Sequence, residues 1–283
     1  VRTICVGIVL LAQSSVSAAD AQSAGRPSME EGVPRPGHFV KVIAPEYRGT
    51  QVFHAIYLPT DWKHGATYPV IVEFPPNSYP PRYKGLVEDC KLGYYESGGS
   101  GFIWIVLPFV NTKEKKNQPL WWGDIDATVE YCKRNVKRAC ETFGGDRSKI
   151  LLTGFSRGAI ACGYIGLHDD EIAGMWAGLI ADAHFDGGSF TLQGAKERLA
   201  RLRGRPCYII YGENDEAGKA NSLAGAEILR QLGETPKTME IPGLNHTDTW
   251  IEKPSLLRDE LRAWISDVIK NGPAAAVSAP ASR

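Results

Sequence analysis

Ser156 lies in Gly-Phe-Ser-Arg-Gly, a Gly-x-Ser-x-Gly pattern that follows an apolar run and precedes a row of small residues. A neutral serine hydroxyl is a weak nucleophile and needs a general base, and the base in turn needs a group to orient it. Two later segments offer those residue types. "YGENDEAG" carries Asp215 three positions beyond Gly212, and "GLNHTDTW" carries His246 shortly before the closing segment. Together the three types would support nucleophilic acyl transfer. With 30 glycines in the chain, the serine pattern alone is a weak signal. What decides its meaning is the structure around it.

The segments that must position these residues alternate between two periodicities. "FVKVIA" and "QVFHAIYLP" are expected to form an antiparallel strand pair, and "YPVIVEF" and "FIWIVLPFV" are expected to be buried strands. "IDATVEYCKRNVKRACETF" carries apolar residues at three- and four-residue spacing after Asp124 and predicts a helix. Strand and helix then alternate: "KILLTG", "RGAIACGYIGL", "MWAGLIA", "TLQGAKERLARL", "PCYIIYG", "GKANSLAGAEILRQLG", "KTMEI" and "SLLRDELRAWISDVIKNG". Such alternation implies βαβ units and an α/β fold with a mostly parallel central sheet covered by helices on both faces. Ligands of such sheets bind beyond the carboxyl ends of the strands. Ser156, Asp215 and His246 each fall just after a predicted strand. Gly154 and Gly158 would relieve crowding at the turn, while Ala159, Ala161 and Gly163 would let the next helix approach the sheet. Ser156 would then sit at a helix N-terminus, where N–H groups favour negative charge.

Composition narrows the function classes. Lys plus Arg and Asp plus Glu both number 32, so nothing favours a nucleic acid or an anionic membrane surface as partner. Residues 1–19 resemble a secretory signal peptide, with a basic residue, an apolar stretch from Ile4 to Ala12 and small residues at Ala18 and Ala19. Export to a secreted or periplasmic location is expected, with no membrane attachment after cleavage. Residues 20–36 read as a flexible leader, 37–271 as one catalytic domain and 272–283 as a disordered tail. Cys90, Cys132, Cys140, Cys162 and Cys207 show no metal-ligand spacing and are expected to be buried free thiols. No metal and no cofactor is implied.

On "GFSRG", "YGENDEAG" and "GLNHTDTW", residues 39–271 resemble an α/β-hydrolase, which has the chain order Ser, Asp, His. Within that superfamily the chain is similar to exported esterases grouped with polyhydroxybutyrate depolymerases and feruloyl or acetylxylan esterases. The resemblance implies that His246 takes the proton of Ser156 as it attacks an ester carbonyl, and that Asp215 holds the imidazole tautomer. Glu213 is the rival acid, set earlier in its loop, and Asp248 is assigned to structure. The substrate would be a small-molecule or polymer ester, with polysaccharide acyl esters or polyesters favoured. A peptidase or acyltransferase on the same triad is the alternative reading, and a non-catalytic binding protein on a hydrolase scaffold is the third.

The sequence departs from the family where the oxyanion donors are expected. A Gly-rich run is replaced by "EFPPNSYPP", and proline has no N–H to give. The backbone N–H groups of Asn77 and Arg157 are the assigned donors, with Ser78 close behind. Ser-Arg also resembles the nucleophile of glucuronoyl esterases, which implies a guanidinium assisting the oxyanion. The competing reading is an Arg157 that pairs with a carboxylate and braces the turn. Trp122, of the Trp121–Trp122 pair, and His184, after the strand "MWAGLIA", are assigned to substrate contact. Residues 77–101, without a clear helix, are expected to wall the pocket.

Overall fold

In the computed structural model the described residues are 25–272. The expected signal segment and residues 273–283 of the expected tail lie outside them. Strands β1 (Met29–Glu30), β2 (Phe39–Val42), β3 (His54–Tyr57), β4 (Tyr68–Phe74) and β5 (Ile103–Val106) form one side of the main sheet. A small hairpin, β6 (Val110–Asn111) and β7 (Lys116–Asn117), stands apart from it. The other side is β8 (Gly145–Phe155), β9 (Gly178–Asp182), β10 (Cys207–Gly212) and β11 (Lys237–Ile241). The nine main strands run in the order β1-β2-β3-β5-β4-β8-β9-β10-β11. From β5 to β11 every pairing is parallel, and β3 is antiparallel to both β2 and β5.

The unbroken apolar runs of the central strands follow from burial on both faces. Successive side chains alternate between two cores. Val70, Val72 and Phe74 of β4 join Ile150 and Leu152 of β8 on one face. Ile71, Leu151 and Phe155 face the other way. Helix α1 (Leu92–Ser97) packs on this second face, and α2 (Ile125–Phe143) and α3 (Arg157–Tyr164) pack on the first. After them come the short α4 (Asp170–Ala173) and α5 (Ala195–Leu199), then α6 (Glu216–Gln231) and α7 (Leu256–Asn271). α6 adds Ala226 and Leu229 to the first core, and α7 adds Leu261, Ile265 and Val268 to the second. Asp124 caps α2 by accepting the Ala127 N–H at 3.0 Å, and Gly144 ends it at φ +79°.

Two expectations are corrected. Residues 25–36 are not a free leader: Met29 and Glu30 pair in parallel with Phe39 and Val40, filling the open edge of β2. Arg26 adds bonds to the Tyr95 hydroxyl and the Glu88 carbonyl. Residues 77–101 do contain a helix. α1 escapes a sequence reading because its cap comes from another element. The buried Glu73 carboxylate of β4 accepts the N–H groups of Lys91, Leu92 and Gly93, and also the Trp104 indole N–H. The five cysteines among the described residues are buried and free.

Candidate active site

β8 ends by turning sharply into α3, and Ser156 occupies the turn at φ +57°, ψ −118°. A non-glycine residue in this region stores backbone strain, which the surroundings must hold. Here the Ser156 N–H donates to the Asp182 carbonyl of β9 at 2.9 Å. A Cβ on Gly154 would collide with the Gly158 backbone, and one on Gly158 with the Phe74 carbonyl of β4. Those two glycines therefore allow the close approach of α3 to the neighbouring strand. Gly163 faces Asp186, in the loop after β9, rather than the sheet.

Asp215 leaves β10 and is the N-cap of α6, with Oδ1 accepting the Gly218 N–H at 3.0 Å. Its other oxygen, Oδ2, lies 2.6 Å from His246 Nδ1, and His246 Nε2 lies 2.9 Å from Ser156 Oγ. A continuous row of hydrogen bonds thus joins residues that follow β8, β10 and β11. Burial pushes the Asp215 carboxyl up, but its bond to His246, the His246 charge and the Gly218 N–H outweigh this and hold its pKa below the usual range. Glu213 is turned away: it is exposed and accepts the Gly243 N–H. Asp248 accepts the Tyr83 hydroxyl at 2.7 Å and pairs with Lys91, a structural placement.

Ser156 and His246 open onto a cleft of about 780 Å³, whose walls include Asn77, Tyr83, Trp121, His184 and Phe190. His184 is buried, with Nδ1 3.2 Å from Asn221 Nδ2 and its ring 5.2 Å from that of His246. Burial, then the His246 charge, lowers its pKa to about 4, so it is neutral at pH 7. Trp122 is a correction. It packs between Phe109 and Tyr164, with ring centroids at 5.7 and 4.7 Å, behind the wall. Trp121, at φ +52°, turns the chain so that its own ring faces the cleft and meets Phe190 at 5.1 Å. Phe190, Tyr83 and Arg82 also line the cleft but carry no sequence motif; the aromatic in the Gly-Gly-Ser-Phe loop was the one available signal.

Asn77 lines the cleft, and its side-chain oxygen accepts the Trp121 N–H at 2.8 Å. The Asn77 and Arg157 N–H groups donate to no group among the described residues. The Ser78 N–H is already taken by the Pro119 carbonyl. The Arg157 side chain is only 1% exposed. Its guanidinium donates to the carbonyls of Pro76, Gly85, Gln118 and Trp121 and lies over the Phe109 ring at 4.1 Å. It therefore braces the turn through carbonyls, not through the expected carboxylate. Burial lowers its pKa to about 9. No three His, Cys, Asp or Glu side chains converge to hold a metal ion among the described residues. No described helix is long and apolar enough to cross a membrane.

Solved structures share this architecture. A CE1 ferulic acid esterase from Anaeromyces mucronatus superposes with a TM-score of 0.59 at 18% identity, over 85% of this chain and 94% of that one. Brefeldin A esterase, a bacterial homologue of human hormone-sensitive lipase, gives 0.58 at 14% identity, over 87% and 81%. The chain has the α/β-hydrolase fold. It spans only 35% of a Bacteroides ovatus protein assigned as a dipeptidyl aminopeptidase IV, at a TM-score of 0.56 and 14% identity over 83% of this chain, and 62% of a thermostable esterase. No family model and no curated protein matches the sequence. A shared fold at such identities carries no activity with it; on an α/β-hydrolase scaffold, function resides in the site.

Proposed function

We propose that the protein is a serine hydrolase that cleaves carboxylic esters through an acyl-enzyme on Ser156. The observation that carries this reading is the unbroken Asp215–His246–Ser156 row opening onto the cleft. His246 Nε2 takes the Oγ proton as Oγ bonds to the ester carbonyl carbon. The N–H groups of Asn77 and Arg157 receive the resulting oxyanion. The tetrahedral intermediate collapses, the C–O bond to the alcohol breaks, and His246 returns the proton to the leaving alkoxide. Water then attacks the acyl-serine with His246 again as base, releasing the acid and restoring Ser156. The ionised Asp215 keeps Nδ1 protonated, and so keeps Nε2 free to accept.

Esters are favoured over peptides by the neighbours' own names, which include ferulic acid esterases and a carbohydrate esterase from gut microbiota. Polysaccharide acyl esters or polyesters are the substrate classes proposed, and the signal-like pattern of residues 1–19 supports export. His184 and Trp121 would contact the substrate. The test is hydrolysis of short- and long-chain nitrophenyl esters, followed by acetyl, feruloyl, glucuronoyl and polyester substrates. Ser156→Ala is expected to lose about 10⁴–10⁶-fold in kcat. Equal turnover by wild type and Ser156→Ala refutes the reading.

A further inference from the structure

A buried cation ordinarily sits against a carboxylate. Arg157 has four main-chain carbonyls instead. Nη2 donates to Pro76 O at 2.7 Å and Gly85 O at 3.0 Å, while Nη1 donates to Trp121 O at 2.6 Å and Gln118 O at 3.2 Å. These acceptors belong to two separate stretches of chain, both of which wall the cleft. One of them bears directly on the reaction. The Pro76 carbonyl and the Asn77 N–H are the two ends of a single peptide unit. That unit is trans, since the one cis bond in the described chain is Pro80–Pro81. A trans peptide is planar and holds its C=O and N–H on opposite sides. Fixing the carbonyl on the guanidinium therefore fixes the direction of the N–H.

Little else can set that direction from the N-terminal side. Pro75 and Pro76 have no N–H with which to tie the segment down, so their carbonyls are the available handles. A cation on the carbonyl oxygen also polarises the amide, which strengthens its N–H as a donor. On the other side of the donor, the Asn77 side chain accepts the Trp121 N–H, and Arg157 holds the Trp121 carbonyl. The clamp thus reaches the donor residue by two routes.

Resting on the ester-hydrolase reading, we infer that the Arg157 side chain is a positioning residue of the oxyanion hole: it orients the Pro76–Asn77 peptide so that the Asn77 N–H meets the oxyanion. Arg157 then serves the hole twice. Its main chain gives one donor, and its side chain aims the other without touching the substrate.

The test pairs an ester with its thiono analogue, in which sulfur replaces the carbonyl oxygen. Sulfur is larger and a poorer hydrogen-bond acceptor, so a well-aimed hole favours the oxygen ester, and the oxo-to-thiono rate ratio reads the hole specifically. Arg157→Met keeps an unbranched apolar stem but removes every donor along with the guanidinium that lies over Phe109. It is expected to lower kcat about tenfold to a hundredfold, short of the ~10²–10³-fold that deleting a hole donor costs. KM should stay within about threefold, and the oxo-to-thiono ratio should collapse in step with kcat. Arg157→Lys, which can still reach some of the carbonyls, should recover part of both. A folded Arg157→Met variant with the wild-type ratio, or one that loses only KM, overturns the inference. Should that variant not fold, Arg157→Gln replaces it and is judged by the same ratio. Absence of ester turnover in the wild type refutes the ester-hydrolase reading itself, whereas an active wild type whose ratio Arg157 does not influence refutes this inference alone.

Discussion

Asp215→Asn separates the charge of the proposed triad acid from its shape. The two oxygens of Asp215 have different duties: Oδ1 accepts the Gly218 N–H as the cap of α6, and Oδ2 faces His246 Nδ1. An asparagine must place its carbonyl oxygen where Oδ1 stood, because an NH₂ there would confront the Gly218 donor. Its NH₂ is then forced to face His246 Nδ1. The imidazole adopts the tautomer protonated on Nε2, which can no longer take the Ser156 proton. A wrong tautomer in an intact triad costs about 10⁴-fold in kcat, or about 5 kcal/mol at 1.36 kcal/mol per decade. The cap survives, so the melting temperature should hardly move. The assay is steady-state hydrolysis of a nitrophenyl ester beside thermal unfolding of the same sample. Glu213→Gln, at the exposed rival acid, is the control and should stay within about threefold of wild type. An Asp215→Asn enzyme retaining a tenth or more of wild-type kcat would refute the assignment of the orienting acid.

Trp122→Ala should destabilise the fold by about 3 kcal/mol through its lost packing on Phe109 and Tyr164 and leave KM near wild type, whereas Trp121→Ala should raise KM with little change in stability. Denaturant titration and kinetics on the two variants check this, and a reversed pattern contradicts the placement. His54 is buried 2.8 Å from the Tyr131 hydroxyl, and burial, then the Arg138 charge, lowers its pKa to about 3. Below about pH 6.5 the unfolded chain takes up a proton that the folded chain refuses, so this histidine costs stability as pH falls. The stability gap between His54→Gln and wild type should therefore shrink by about 1.4 kcal/mol per pH unit between pH 6 and 4. Urea unfolding at several pH values measures it, and a gap independent of pH refutes the neutral buried state.

The parts of the site that sequence made visible are those attached to strong periodic elements. β10 and the second half of β8 are apolar runs and β11 alternates polar with buried apolar residues, so the residues just beyond them could be located, and the sheet order brings their carboxyl ends together. "YPVIVEF" matches β4 and "IDATVEYCKRNVKRACETF" matches α2 at both ends. What escaped depends on partners distant in sequence. The acceptors of Arg157 lie 36 to 81 residues away, and no local pattern marks a carbonyl as an acceptor. Trp121 and Trp122 are adjacent and chemically alike. Only the positive φ of Trp121, a property of the folded turn, separates the one that lines the cleft from the one that packs. α1 lacked a cap of its own because Glu73 supplies one from β4.

Glu73 has a further consequence for how the cleft can vary. The chain leaves β4 one residue beyond Glu73 and, after forming the wall of the cleft, returns to the same carboxylate through the N–H groups of Lys91, Leu92 and Gly93. A single side chain thus clasps both ends of the wall segment, whatever lies between them. Loop entropy rises slowly with length, by about 0.6 kcal/mol per doubling. The outermost part, residues 79–82, can therefore be exchanged or lengthened while the sheet beneath keeps Ser156, Asp215 and His246 in register. The wall is built as a replaceable cassette, tied to the residues below it through the Arg82 guanidinium, which donates to the His246 carbonyl at 3.4 Å.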